Sequence, residues 1–317
     1  MDELFKLFYA NGALLVMWGA LLFHWLLPIP HAAHPITLWH KFAEILAEKV
    51  NKPSSYQQSL ISGTLAWLLM IIPTIMLCVA LQPLVWHPQL FELALLLLAL
   101  DWRSADKLSQ QMSQALAQQD KPLARRLLVP FVNRETATLS PVGLGKASVE
   151  TITMGIGRNL IGVLFWYGLL GGIGAFIYRL MVELARCWSP SRTQFQPFGL
   201  PVIRAVAVLD IVPLRLFSLL ILIGDNVNYN LTQTLNQSRS WPLPGPGWLL
   251  CAVGNKLHLA LGGPAIYGQQ KAVRAKIGGR IVPASLHLAQ LRQLLTRRLW
   301  LWLILQSIML LLVYQGV

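Results

Sequence analysis

The chain of 317 residues is 55% apolar and only 12% charged, with a formal charge of +13 and a mean hydropathy of +0.53; that is too little polar surface for a water-soluble fold. The same figures exclude intrinsic disorder, a disulfide-stapled secreted domain and a collagen-like or repeat array. Nor does the charge point to nucleic acid, because long stretches carry no Lys or Arg.

Runs near 20 apolar residues are the signal for membrane-spanning helices. In chain order they are 10–29; 60–86, with Pro73 inside; 88–100; 155–181; 199–224; and 299–314. The third is short, with a dense LALLLLAL core that suits a tilted span or a re-entrant piece. The fold class expected is all-α: a polytopic membrane protein of about six transmembrane helices, with amphipathic helices in its cytoplasmic loops. Counted as six spans, the chain puts 19 of its 26 Lys and Arg in the loops at about 30–59, 101–154 and 225–298. Four lie on the other side: Lys6, Arg179, Arg186 and Arg192. Cytoplasmic loops collect basic residues, so both termini are expected in the periplasm of a bacterial inner membrane. Asp2 and Glu3 replace the basic start of a signal peptide, and the apolar run that follows is too long for one.

The first loop holds His31, His34 and His40, with no Cys or nearby acid to complete a metal-ligand set. After Asp101, Ser104 reads as an N-cap, and Leu108, Met112 and Leu116 recur every four residues on one helical face. A second amphipathic helix begins near Pro122 after Asp120, and a third at Ser140-Pro141; the pair reads as a helical hairpin on the membrane face. Gly143-Leu144-Gly145-Lys146 lacks the upstream Gly and the following Ser or Thr of a phosphate loop, so it reads as a glycine-rich helix start. Residues 226–246 are rich in Asn, Gln, Ser and Pro and are expected to be loop. Past Val282-Pro283, Leu288, Leu291 and Leu295 lead an amphipathic helix into the last span, with Arg297 and Arg298 at the interface.

Charge in hydrocarbon is costly, so Arg158, Arg204, Asp210 and Arg215 are expected to face the bundle interior. Asp210 and Arg215 stand about 140° apart on a helix and are not expected to pair. These groups either lock helices together or form an anion seat near the membrane surface. Leu261 to Gly268, LGGPAIYG, combines paired glycines, a proline and a tyrosine; it suits either a plain turn or a ligand-contacting loop. No Ser/His/Asp or Cys/His grouping stands out, and Cys78, Cys187 and Cys251 are expected to be free thiols.

Over most of its length the chain resembles the adenosylcobinamide-phosphate synthase family of cobalamin biosynthesis, the CobD/CbiB type. The resemblance is carried in order by His34-Pro35; Val132-Asn133-Arg134-Glu135-Thr136 with Leu139 and Pro141; and Ala147 with Val149-Glu150-Thr151. Further on come Leu164-Phe165-Trp166 with Gly171-Gly172; Gly199, Arg204, Pro213, Arg215 and Leu216; Gly247-Trp248; and Leu261 to Pro264 with Tyr267. It implies a membrane synthase that joins an aminopropanol, usually phosphorylated, to a corrinoid acid through an amide, consuming ATP with Mg²⁺, with nothing bound covalently. Its partners would be the corrinoid, the aminopropanol or its phosphate and the lipid bilayer, with other late cobalamin-pathway membrane proteins as further candidates and no nucleic acid.

Several family acids are absent: Met154-Gly155 and Arg158, Val182 to Ala185, Val206-Ala207, Leu27-Pro28 and Leu243-Pro244-Gly245 stand in the family's polar or acidic stretches. That leaves Glu135 and Glu150 as candidates for catalytic base or metal chemistry. The resemblance assigns substrate binding to Arg134, Thr136, Arg204, Arg215, His34, Gly262, Gly263, Pro264 and Tyr267, and no residue is assigned as a metal ligand. The missing acids, with a Leu209 to Leu216 stretch like that of the AmpE branch, keep open a non-catalytic, AmpE-like regulatory or sensor protein. A transporter would call for internal repeats, and the two halves show none.

Overall fold

A computed structural model describes residues 12–27, 34–52, 55–268 and 270–314. His31 lies outside them. Helices dominate: α1 (Gly12–Leu26), α2 (Pro35–Val50), α3 (Tyr56–Leu81), α4 (Pro88–Ala99), α5 (Arg103–Ala117) and α6 (Lys121–Leu128). After them come α7 (Pro141–Ile156), α8 (Val163–Cys187), α9 (Leu200–Leu222), α10 (Val227–Ser238) and α11 (Pro244–Lys256), then a two-stranded antiparallel hairpin, β1 (Ala260–Tyr267) and β2 (Gln270–Gly278), and finally α12 (Ser285–Tyr314). The protein is an all-α membrane bundle carrying one small β-hairpin, a piece that the helical reading of its loops does not contain.

Among the described residues four helical stretches are long and apolar enough to cross a membrane: Tyr56–Leu84, Pro141–Cys187, Leu200–Leu222 and Ser285–Val313. On α3 the residues Ile61, Leu65, Leu69 and Met76 form an exposed apolar stripe, which water would not tolerate and lipid would. The twelve residues of α4 are too few to cross alone.

Capping explains where the polar helices start. Asp120 Oδ1 accepts from Leu123 N–H at 2.9 Å and Ser140 Oγ from Gly143 N–H at 3.2 Å, both as their sequence positions suggest. The start of α5 differs: Asp101 Oδ1, not Ser104, takes the free amide, that of Ser104 itself, at 3.3 Å. Leu108 and Met112 are buried, as their spacing requires.

Two larger differences bear on the site. The helix that opens at Pro141 packs against α6 but does not lie with it on the surface, being largely buried. It runs on as α7 through a π-helical turn, Gly157–Gly162, into the first arm of α8. At Gly171 (φ 66°, ψ −162°) the chain then reverses. Gly162, in the first arm, packs against the Tyr178 ring in the second. Asp101 binds both arms, donating its N–H to Asn159 O at 3.1 Å and accepting from Arg179 Nη2 at 3.4 Å. The stretch 155–181, expected as one crossing, is therefore a helical hairpin. Its tip lies beside Glu92 of α4, and its two ends return to the same end of the bundle. There Arg186 donates to Pro130 O and Arg192 to Asn133 Oδ1.

The other difference is α10, which occupies residues expected to be loop. Its apolar signal is weak because the face it buries is polar: Asn230, Thr234 and Ser238 recur every four residues, and Asn255 Nδ2 of α11 donates to Thr234 Oγ1 at 3.1 Å.

Candidate functional site

At the end of the bundle to which the hairpin returns, α7 meets the β-hairpin. Glu150 stands on the third turn of α7 and is buried. Its Oε2 accepts from Arg134 Nη2 at 2.7 Å and Arg274 Nη1 at 3.0 Å; its Oε1 accepts from Gly262 N–H at 2.9 Å and Arg274 Nη2 at 3.4 Å. Those four contacts fill the roughly four lone-pair sites of a carboxylate.

Backbone geometry delivers the groups. Gly262 (φ 70°) and Gly263 (φ 90°) adopt a conformation L side chains rarely reach, and a Cβ on Gly262 would fall 2.0 Å from Ala275 O. The register shift between Gly262 and Pro264 turns the Gly262 N–H away from the ladder and onto Glu150. Arg274 is fixed three ways: on Glu150, by its Nε donating to Gly263 O at 3.2 Å, and by stacking over Trp241 with the guanidinium carbon 5.5 Å from the ring centre. The Arg134 segment is tied to the same strand, because Glu135 N–H donates to Ile266 O at 2.8 Å. One helical turn before Glu150, Lys146 Nζ lies 3.9 Å from where a Gly263 Cβ would be. Two guanidinium groups thus hold one carboxylate, with the Lys146 ammonium close to the neighbouring Gly263, an excess of positive charge suited to phosphate or carboxylate groups.

Of the residues singled out by the resemblance, the structure brings together Arg134, Glu150, Gly262 and Gly263. Thr136 is buried in the adjoining loop, while the side chain of Glu135 and the ring of Pro264 are exposed. Tyr267 pairs with Gln270 at the hairpin's far end. His34 serves α2, its Nδ1 accepting from Ile36 N–H at 3.2 Å. Arg204 and Arg215 belong to α9 and do not touch the Glu150 cluster. Arg215 stacks on Trp248 at 5.2 Å. Arg204 is exposed rather than interior, because it shares an outward face of α9 with Val208.

The interior charges that do pair are Arg158 and Asp210. Asp210, fully buried, accepts from Arg158 Nε at 2.8 Å on one oxygen and from Tyr178 OH at 2.8 Å on the other. Arg215 takes no part, in line with its angular offset.

Arg274, Trp241 and Lys146 are the members of the cluster that sequence reasoning missed. Arg274 lies in alternating KAVRAKI, a strand signal submerged in a long loop. Among the described residues no three His, Cys, Asp or Glu side chains converge as a metal site, and the four contacts on Glu150 occupy its lone pairs. The guanidinium and ammonium groups do suit the phosphates of ATP.

Comparison with known proteins agrees with this arrangement of motifs. The family described as CobD/Cbib protein matches residues 17–295. A cobalamin biosynthesis protein CobD of Stutzerimonas stutzeri is 29% identical over 286 residues, 90% of this chain and 94% of its own. Its counterpart in Chromobacterium violaceum is 29% identical over 240 residues, 76% of this chain and 77% of its own. A probable cobalamin biosynthesis protein CobD from Methanothermobacter thermautotrophicus shares 29% over 149 residues, about half of each chain. No solved structure matches. With the family pattern covering most of the sequence, this chain belongs to the CobD/CbiB family of cobalamin biosynthesis.

Proposed function

We propose that the protein is an amide-forming synthase of the adenosylcobinamide-phosphate type, joining an aminopropanol or its phosphate to adenosylcobyric acid with ATP consumed. The observation that carries this reading is the Arg134–Glu150–Arg274 cluster, which ties the family-like segments Arg134 to Thr136, Val149 to Thr151 and Leu261 to Pro264 into one basic seat. Glu150 there is a positioning residue: it aligns two guanidinium groups and the Gly262 amide and is not available as a free base. Arg134, Arg274 and Lys146 would hold phosphate or corrinoid carboxylate groups. ATP activates the carboxylate for attack by the amine, and no step through Mg²⁺ follows from these residues.

The seat faces the cytoplasm of a bacterial inner membrane in this reading. Support comes from the hairpin, which carries Arg179, Arg186 and Arg192 back to the end that holds Asn133 and Arg134. Of the four cations first assigned to the opposite side, only Lys6 is left, outside the described residues.

Membranes containing the protein, supplied with adenosylcobyric acid, aminopropanol phosphate and ATP, test the activity by mass spectrometry of the corrinoid product. A mass gain of one aminopropanol phosphate less water supports it; unchanged adenosylcobyric acid with correctly inserted protein counts against it.

A further inference from the structure

Away from the Glu150 cluster, on another face of α7, a second concavity opens between α1, α5, α7 and α12. It is an almost wholly apolar crevice of about 440 Å³, within the range of small-ligand sites, roughly 300–1,000 Å³. Trp18, Trp25, Trp102 and Trp300 line it, together with the buried Ile156 and Leu303. A polar cleft continues from it along α12, past Gln293 and Arg297, and the two share Ser109, Arg292 and Thr296.

Three observations define the occupant. The crevice follows α12 across its change from polar to apolar sequence at Leu299, the level at which a bilayer surface and its tryptophans belong. At the junction of the two halves, Ser109 is 2% exposed, and its hydroxyl has no hydrogen-bond partner among the described residues; a buried hydroxyl left so is costly unless something fills the site. In the polar half Arg292 is neutralised by Asp106, Nε to Oδ1 at 2.5 Å, leaving Arg297 as its excess cation.

We propose that this groove binds one anionic phospholipid, with an acyl chain in the tryptophan-walled crevice and the phosphate beside Arg297. A glycerol or ester oxygen accepts from the Ser109 hydroxyl. The assignment does not depend on the catalytic reading: the groove lies on other residues and its ligand is a component of the bilayer.

The test is native mass spectrometry of the full chain in mild detergent, titrated separately with phosphatidylglycerol and phosphatidylcholine. One phosphatidylglycerol should be retained per chain in preference to phosphatidylcholine. Arg297→Gln, at an exposed position, should reduce that preference about fivefold, the share of one arginine at an anionic surface. Thr296→Trp, also exposed, should block the junction and abolish retention of either lipid while the variant elutes like the parent protein. Equal retention of the two lipids by the parent chain, undiminished lipid on the Thr296→Trp variant, or displacement of bound lipid by millimolar inorganic phosphate would each overturn the proposal.

Discussion

The phenol of Tyr178 lies against Gly162, so close that a Cβ there would come within 2.3 Å of its oxygen. In one straight helix these two residues would be about 24 Å apart; their contact exists because the chain reverses at Gly171. Gly162→Val should therefore force the two arms apart, at a cost of about 1–3 kcal/mol, typical of overpacking, read as a lower midpoint of thermal unfolding in detergent. The same hairpin predicts labelling from one side of the membrane: in a background lacking Cys78, Cys187 and Cys251, Arg192→Cys and Asn133→Cys should react with an impermeant maleimide from the same face. Labelling from opposite faces would mean that the stretch crosses.

Asp210 serves both arms of that hairpin, through Arg158 on one and Tyr178 on the other. Asp210→Asn leaves the Arg158 cation without a counter-charge in a buried setting, where breaking a pair costs about 3–5 kcal/mol. Tyr178→Phe removes one neutral donor and should cost less, about 1–3 kcal/mol. If the two variants unfold at the same temperature as the parent, the triad does not hold the hairpin together.

At the basic seat, Glu150→Gln keeps the volume but removes the charge that aligns Arg134 and Arg274. Stability should fall by about 3–5 kcal/mol and product formation should fall with it. Arg274→Lys separates the two roles: a lysine retains the charge but not the paired hydrogen bonds to Glu150 or the stacking on Trp241. The lysine variant should accumulate in the membrane and yet form less product; full activity would remove Arg274 from the substrate seat.

A pH dependence follows from His40 on α2. Hydrogen bonding with Cys187, then the Glu183 carboxylate 3.0 Å away, push its pKa up from 6.5 to about 9. Since the folded value lies above the unfolded one, protonated His40 contributes its full stabilisation below pH 6.5 and loses it as pH rises through about 9. The unfolding midpoint should decline over that window in the parent and decline less in His40→Gln; identical slopes would contradict the pairing.

Much of the bundle was legible because apolar runs and caps are local signals. Ser140-Pro141 starts a helix, Leu288, Leu291 and Leu295 are buried, and Arg158 and Asp210 face inward, each for a reason readable within a few residues. The reversal at Gly171 was not legible, since Gly171-Gly172 within an apolar stretch looks the same in a crossing and in a hairpin. Only contacts such as Asp101 to both arms distinguish them. At the site, the family motifs point to Arg134, Glu150, Gly262 and Gly263, but Arg274 lies outside every motif. It enters the site through strand pairing, a long-range fact that no window of sequence contains.

Complementation tests the central claim most directly. In a strain lacking its own adenosylcobinamide-phosphate synthase and fed cobyric acid, the parent chain should restore cobalamin-dependent growth, and Arg274→Ala, inserted to the same level, should not. Failure of the well-inserted parent, or growth of the Arg274→Ala strain equal to that of the parent, would contradict the account.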